Sequence, residues 1–348
     1  MKAAPVYFAI RDRGKFEQLL VHTGQHYDEK MSDIFFRQLG MPKPDINLEV
    51  GSASHAVMTA KIMIEFEQVV LLEKPDLVMV YGDVNSTIAC AMVAAKLGVK
   101  VAHVEAGLRS FDRRMPEELN RMLTDSISDY FFTTSPDADA LLEKSGFAKE
   151  SIHFVGNGMI DTLVRLLPEA QEPQIDGFKC GAHADFALVT LHRPSNVDDP
   201  ESLERILEII RDLSKSLQVV FPIHPRTASR IQELGLSTNG LCLSGPLGYL
   251  EFLWLQKNAK LVLTDSGGVQ EETTYLKVPC LTLRENTERP ITVTEGSNIL
   301  IGNDFDLLDC EIKNILGGNF KISTIPEKWD GLAGQRTARI LEQIFYDE

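Results

Sequence analysis

The sequence predicts two doubly wound, Rossmann-like α/β domains built on parallel strands. Three observations carry this. Short β-rich runs alternate with helix-length amphipathic segments along nearly the whole chain. The alternation breaks once, at 166–184, where Pro168, Pro173, Gly177 and Gly181 gather among polar residues. The length of 348 residues also favours two domains over one. The predicted domains are residues 1–166 and 167–330, with a further amphipathic helix over 331–346. A cleft between two such domains is the expected place for a small-molecule site.

The elements run in order along the chain. Residues 1–10 read as a helix with an apolar run through Val6 and Ile10, where a doubly wound domain ordinarily opens with a buried strand and a Gly-bearing turn. A segment that normally comes first is therefore expected to be missing. A strand at 19–22 precedes a helix around 29–39, and residues 53–73 read as a long helix that Pro75 ends. Strands at 77–81, 100–104, 130–133 and 152–155 then alternate with helices near 85–97, 116–128 and 136–145. After the break, strands are predicted at 186–191, 217–222, 240–244, 260–264 and 279–283. Helices are predicted between them near 200–216, 227–234, 247–258 and 268–276.

Composition narrows the function. Lys and Arg number 35 against 50 Asp and Glu, a net charge of -15, which argues against a general nucleic-acid binder but not against a nucleotide ligand. The cysteines Cys90, Cys180, Cys242, Cys280 and Cys310 are scattered without a CxxC pair, which fits a reducing compartment and gives no zinc signal. No apolar run is long enough to insert in a membrane, and no signal peptide is evident, so a soluble, cytoplasmic protein is predicted. There is no Walker loop, no metal-ligand spacing and no Gly-x-Gly-x-x-Gly, the last arguing against NAD.

Chemistry is expected at the carboxyl ends of the strands. In Tyr81-Gly82-Asp83-Val84-Asn85, Gly82 permits a sharp turn that places Asp83 at a strand end. The alternative is that Asp83 or Asn85 merely caps the next helix. In His103-Val104-Glu105-Ala106-Gly107-Leu108-Arg109, a carboxylate straight after a buried strand must be paired, hydrated or used, and Arg109 is a possible partner. Pro116 opens a helix whose Glu117 and Arg121 share a face, so a simple surface ion pair is the alternative there. Together, Asp83, Glu105 and Glu117 form a cluster suited to proton transfer.

The second half offers an anion site. Thr264-Asp265-Ser266-Gly267-Gly268 turns into a helix, where small residues let backbone N–H groups approach phosphate. Glu272, a turn further on, could accept both hydroxyls of a ribose. His192 and Arg193 come after one strand, His224 after another, and Arg289 supplies a further cation on a loop. A nucleotide-linked substrate with acid–base chemistry at its other end is implied.

With these segments in view, the sequence closely resembles the non-hydrolysing UDP-N-acetylglucosamine 2-epimerases. The matching stretches are His22 to His26, Tyr81 to Asp83, His103 to Arg109, Pro116 to Arg121, His192-Arg193, Ser266 to Glu272 and Thr287 to Pro290, in family order. The resemblance implies a GT-B-like pair of domains, with the last helix (331–348) returning to the first, and a homodimer. It implies that UDP-GlcNAc is converted to UDP-ManNAc without an external cofactor. The C2 proton leaves with UDP to give a 2-acetamidoglucal, and UDP adds back with protonation on the other face. Asp83, Glu105 and Glu117 are the implied acid–base groups. Arg121 and His192 would steady the diphosphate, and Ser266, Gly267 and Gly268 would hold phosphate. Glu272 would take the ribose, and Arg289 the diphosphate or sugar.

Two departures stand out. Lys2-Ala3-Ala4-Pro5 matches the stretch that comes after the family's first strand and Gly-Thr-Arg-Pro-Glu-like turn, so that strand and its arginine are expected to be absent, although Lys2 remains as a substrate contact. A non-catalytic UDP-sugar binder is the alternative this raises. Gln25-His26-Tyr27-Asp28 also departs from the Gln-His-x-Gln-like segment that binds a second UDP-GlcNAc in many bacterial members, so such activation is not expected. The Ser110 to Met115 loop is similar to that of relatives acting on UDP-2,3-diacetamido-glucuronate, where Arg113 and Arg114 could answer a sugar carboxylate.

Overall fold

The computed structural model describes residues 1–24, 36–179 and 185–346. The helix expected near 29–39 and the Gln25 to Asp28 segment fall largely outside them. The chain divides into two compact units, Met1–Arg165 with Glu327–Glu348, and Leu166–Pro326.

The first unit runs α1 (Ala3–Arg13), β1 (Val21–His22), β2 (Ile46–Asn47), α2 (His55–Glu73), β3 (Leu77–Tyr81), α3 (Asn85–Lys96), β4 (Lys100–Ala106), α4 (Pro116–Ser126), β5 (Tyr130–Thr133), α5 (Pro136–Lys144), β6 (Ile152–Phe154) and α6 (Gly158–Leu166). Helix starts obey the local chemistry: Ser54 caps α2 by accepting from the Val57 N–H, and Pro occupies the first position of α4 and α5. Lys74, in a left-handed conformation just before Pro75, ends α2. β3 to β6 form a four-stranded parallel sheet in chain order, while β1 and β2 pair separately. α1 packs Val6 and Ile10 against Ala102, Val104 and Phe132 of this sheet.

The second unit runs β7 (Phe186–Thr190), α7 (Pro200–Leu213), β8 (Gln218–Pro222), α8 (Pro225–Glu233), β9 (Cys242–Ser244), α9 (Tyr249–Asn258), β10 (Leu261–Thr264), α10 (Gly267–Leu276), β11 (Cys280–Thr282), β12 (Asn298–Leu300) and α11 (Phe305–Leu316). Its six parallel strands lie in the order β12-β11-β10-β7-β8-β9. Both sheet faces are covered. Ala187, Val189, Val219 and Phe221 pack on one side, and Phe186, Leu188, Val220 and Val262 on the other. That is why these strands read as continuous apolar runs. The order reverses between β7 and β10, so the crevice outside their carboxyl ends is the topological switch point. The hydroxyls of Thr190 and Thr264, the last residues of those strands, meet there at 2.7 Å.

The closing helix α12 (Ala333–Tyr346) belongs to the first unit, its Ala338 and Leu341 packing with Val6 and Ile10. Gly334 is required at that crossing, because a Cβ there would lie 2.5 Å from the Pro5 carbonyl oxygen. No helix among the described residues is long and apolar enough to cross a membrane.

Candidate active site

At the end of β3 the chain turns through Gly82, whose φ is 65°. A Cβ there would lie 2.9 Å from Lys2 Nζ, so glycine also makes room for a cation. The turn is tethered from beneath: His103 Nε2 donates to the Gly82 carbonyl at 2.8 Å, and His103 Nδ1 meets Asp125 Oδ1 at 2.6 Å. Asp125 is buried and also receives Arg109 at 2.6 Å. Burial pushes its pKa up, but His103 and Arg109 outweigh that and hold it below the ordinary carboxylate value.

Asp83 does not cap α3. The cap position is Val84, without a side-chain bond, and Asp83 instead accepts from Arg121 Nε at 3.0 Å and Nη2 at 2.7 Å. Asn85 faces His55 and Asn120.

Glu105 is 5% exposed and has φ 74°, rare for a side chain other than glycine. It sits at a shift in β4–β5 register between Val104 and Ala106. This bulge re-aims the carboxylate at the sheet's end. The cation that meets it is Lys2, whose Nζ lies 2.8 Å from Oε1 and 2.6 Å from Oε2. Arg109, offered by the sequence as its partner, is committed to Asp125 instead.

The alternative surface pair, Glu117–Arg121, does not form. Arg121 has 3% of its side chain exposed and bonds Asp83 and Glu118. Glu117 has no hydrogen-bond or ion-pair partner among the described residues. Arg121 thus ties Asp83 to Glu118 from a buried position. The contacts run from Glu105 through Lys2 to the Gly82–Asp83 turn, and through Arg121 to the start of α4, where Glu117 lies. Asp83 and Glu105 thus each meet a cation, Arg121 and Lys2, while Glu117 lies on the helix that carries Arg121.

In the second unit, Asp265 organises the switch point. Fully buried, it accepts the backbone N–H of His192 at 3.0 Å and of Arg193 at 2.9 Å, Asn196 Nδ2 at 3.1 Å, and His192 Nδ1 at 2.8 Å. Burial raises its pKa, and these donors, His192 first, more than reverse the effect. The His192 side chain remains 47% exposed with its Nδ1 side fixed, a ring aimed by a carboxylate. In the sequence, Asp265 lies inside a motif with no task assigned to it. An acid directly after a buried strand was the available signal.

Ser266 begins α10, its N–H held by Thr264 Oγ1 at 3.0 Å, and Gly267 and Gly268 form the first turn. A Cβ on Gly267 would lie 2.8 Å from Arg289 Nη1 and 3.0 Å from Glu288 Oε1. Arg289 is a buried, paired cation. It is 6% exposed, pairs with Glu271 at 2.8 Å and with Glu288, and lies over the phosphate-type turn. His224 follows β8, and its Nδ1 accepts the Arg226 N–H at 3.3 Å, capping α8. Arg193 has a buried Nε without a hydrogen-bond partner.

Glu272 is 3% exposed and accepts Tyr249 Oη at 2.8 Å and Gln256 Nε2 at 2.6 Å. Burial raises its pKa to about 7 despite both bonds. Tyr249 had no signature in the sequence beyond an aromatic residue at a helix start. Among the described residues no group of three His, Cys, Asp or Glu side chains is placed to hold a metal ion.

Parallel α/β units with polar side chains at strand ends and a Ser-Gly-Gly helix start define a nucleotide-site architecture. Residues 8–342 match the UDP-N-acetylglucosamine 2-epimerase family, and the chain belongs to it. It is 45% identical over 330 residues, 92% of this chain and 89% of the relative, to a UDP-N-acetylglucosamine 2-epimerase of Methanococcus maripaludis. It is 42% identical over 99% of its length to the UDP-2,3-diacetamido-2,3-dideoxy-D-glucuronate 2-epimerase of Pseudomonas aeruginosa, covering 96% of that protein. The crystal structure of the Methanocaldococcus jannaschii UDP-GlcNAc 2-epimerase with UDP-GlcNAc and UDP superposes with a TM-score of 0.87 at 43% identity, covering 98% of this chain and 95% of that one. The fold is the GT-B-like class of two Rossmann-like units.

Proposed function

We propose that the chain epimerises UDP-N-acetylglucosamine at C2. A carboxylate removes the C2 proton as the C1–O bond to UDP breaks, leaving a 2-acetamidoglucal. UDP then returns to C1 while a second carboxylate protonates C2 on the opposite face. The observation that supports this best is that the three candidate carboxylates are differently compensated: Lys2 on Glu105, Arg121 on Asp83, and no partner for Glu117 among the described residues. Groups in unlike environments suit opposite acid and base tasks. The second unit supplies the nucleotide contacts: Ser266, Gly267 and Gly268 for phosphate, His192 and Arg193 for the departing diphosphate, and Glu272 for the ribose. Arg289 serves by shaping the turn that receives the phosphate, and no external cofactor takes part.

A second substrate has a specific observation in its favour. In the loop after β4, Arg114 is held by Asp112 at 2.8 Å, whereas Arg113 is exposed without a partner among the described residues. Arg113 could answer the carboxylate of a diacetamido-uronate. Incubating the protein with each nucleotide sugar and no acceptor separates the readings. Turnover of UDP-GlcNAc alone supports the first, turnover of the uronate alone supports the second, and binding without turnover of either defeats the enzyme assignment.

A homodimer also belongs to this proposal. α2 packs against α3 and α3 against α4. On the outer two helices, Val57, Ile64 and Leu71 recur every seventh residue and are 47%, 61% and 52% exposed, while Leu119, Met122 and Leu123 are 37%, 38% and 50% exposed. Such apolar rows suit a self-complementary interface. A nucleotide-sugar substrate and the free thiols Cys90, Cys242, Cys280 and Cys310 fit a cytoplasmic enzyme.

A further inference from the structure

α4 is inside out. Its Glu118, Arg121 and Asp125 are buried while its leucines face outward. A buried carboxylate is costly unless donors satisfy it. Glu118, 1% exposed, meets that demand. Its Oε2 accepts the Ser110 N–H at 2.8 Å, Ser110 Oγ at 3.0 Å and Arg121 Nη1 at 2.6 Å, and its Oε1 accepts the Phe111 N–H at 3.0 Å. The same guanidinium turns Nε and Nη2 to Asp83. One cation therefore bridges a sealed carboxylate and a half-buried one in the candidate site. The bonded Phe111 has φ 59° and an exposed ring, a strained conformation that needs such an anchor.

We propose that Glu118 is a positioning residue for the reaction, acting through Arg121 on Asp83 and through the Ser110–Phe111 backbone on the loop after β4. This rests on the epimerase reading above. Glu118 never touches substrate. It fixes the direction from which Arg121 meets Asp83, and it divides the guanidinium charge between two carboxylates instead of leaving it all on Asp83. Glutamine cannot replace it, because both carboxylate oxygens accept and an amide offers only one acceptor. In a Glu118→Gln variant the amide would set an N–H group against the Phe111 N–H, or against Ser110 and Arg121.

The test is a double-mutant cycle between Glu118→Gln and Asp83→Asn, read as steady-state kcat and KM on UDP-GlcNAc. A residue acting through Asp83 loses its effect once Asp83 is gone, whereas a general staple of the fold does not. Glu118→Gln is expected to lower kcat about 10- to 100-fold with KM changed less than about 2-fold, and to cost less than about 3-fold in the Asp83→Asn background. Independent losses, or an unchanged kcat in Glu118→Gln, overturn the proposal. Should Glu118→Gln not fold, Ser110→Ala reads the same coupling, because it removes one donor and leaves the carboxylate in place. It is expected to lower kcat about 2- to 5-fold, again with little effect beside Asp83→Asn, and additive losses there overturn the proposal equally. An inactive wild-type chain would remove the epimerase reading and this proposal together. An active wild type with an unaffected Glu118→Gln removes this proposal alone.

Discussion

Arg121 meets one oxygen of Asp83 with two nitrogens, Nε at 3.0 Å and Nη2 at 2.7 Å. The carboxylate at the end of β3 is thus aimed by the helix that also carries Glu117. Asp83→Asn keeps the shape and removes the charge. It is expected to lower kcat by about 10²- to 10³-fold, with KM nearly unchanged because the proposed nucleotide contacts do not include Asp83. Initial rates over a substrate series check this, and a raised KM with normal kcat would contradict it.

Glu272 makes stability pH-dependent. Its pKa in the folded chain is about 7 against an ordinary 4.5, so between those values the folded chain keeps a proton that the unfolded chain has lost. Stability falls as pH rises through that window, by on the order of 3 kcal/mol for this group, and the cost persists above pH 7. Glu272→Gln removes it. Gln256 Oε1, buried without a partner, can turn to accept the new amide. Thermal melts should show the variant gaining on the wild type at pH 8 and not at pH 4.5, and an equal gain at both would contradict the assignment.

Gly267→Ala places a methyl group 2.8 Å from Arg289 Nη1. The end of an arginine could ordinarily move aside, but Glu271 and Glu288 hold this one. The turn must shift instead, at a cost of about 1–3 kcal/mol. UDP affinity measured by calorimetry should fall about 10-fold or more. Unchanged affinity would show that the turn does not receive phosphate.

Ile64, 61% exposed at the centre of the α2 row, tests the dimer. Ile64→Asp is expected to sediment as a monomer at concentrations where the wild type is a dimer. The single-unit folds should persist, as judged by circular dichroism. A monomeric wild type would defeat the dimer assignment.

The strand–helix alternation was readable because parallel strands covered on both faces must be continuously apolar, as in Phe186–Thr190. Asp83 and Glu105 stood out as acids at strand ends, and Glu117 as an acid at a helix start. What the acids bind was not readable, because partners depend on helix phase and on distant segments. Glu117 and Glu118 are neighbours in sequence, yet only the second turns inward, since α4 buries its polar face and exposes Leu119 and Leu123. A pattern read for an apolar core orients such a helix backwards. Lys2 reaches Glu105 across 103 residues, and Arg289 comes to rest over Gly267, relationships carried by the fold alone. β2, α6, β12 and α11 were not predicted, and the two strands, only two and three residues long, leave little periodicity to detect.

Proton transfer at C2 is measured most directly by NMR of UDP-GlcNAc incubated with the protein in D2O. The expected result is deuterium at C2 of the sugar together with appearance of UDP-ManNAc. Conversion that leaves protium at C2, or binding with neither exchange nor a second epimer, would contradict the proposed reaction.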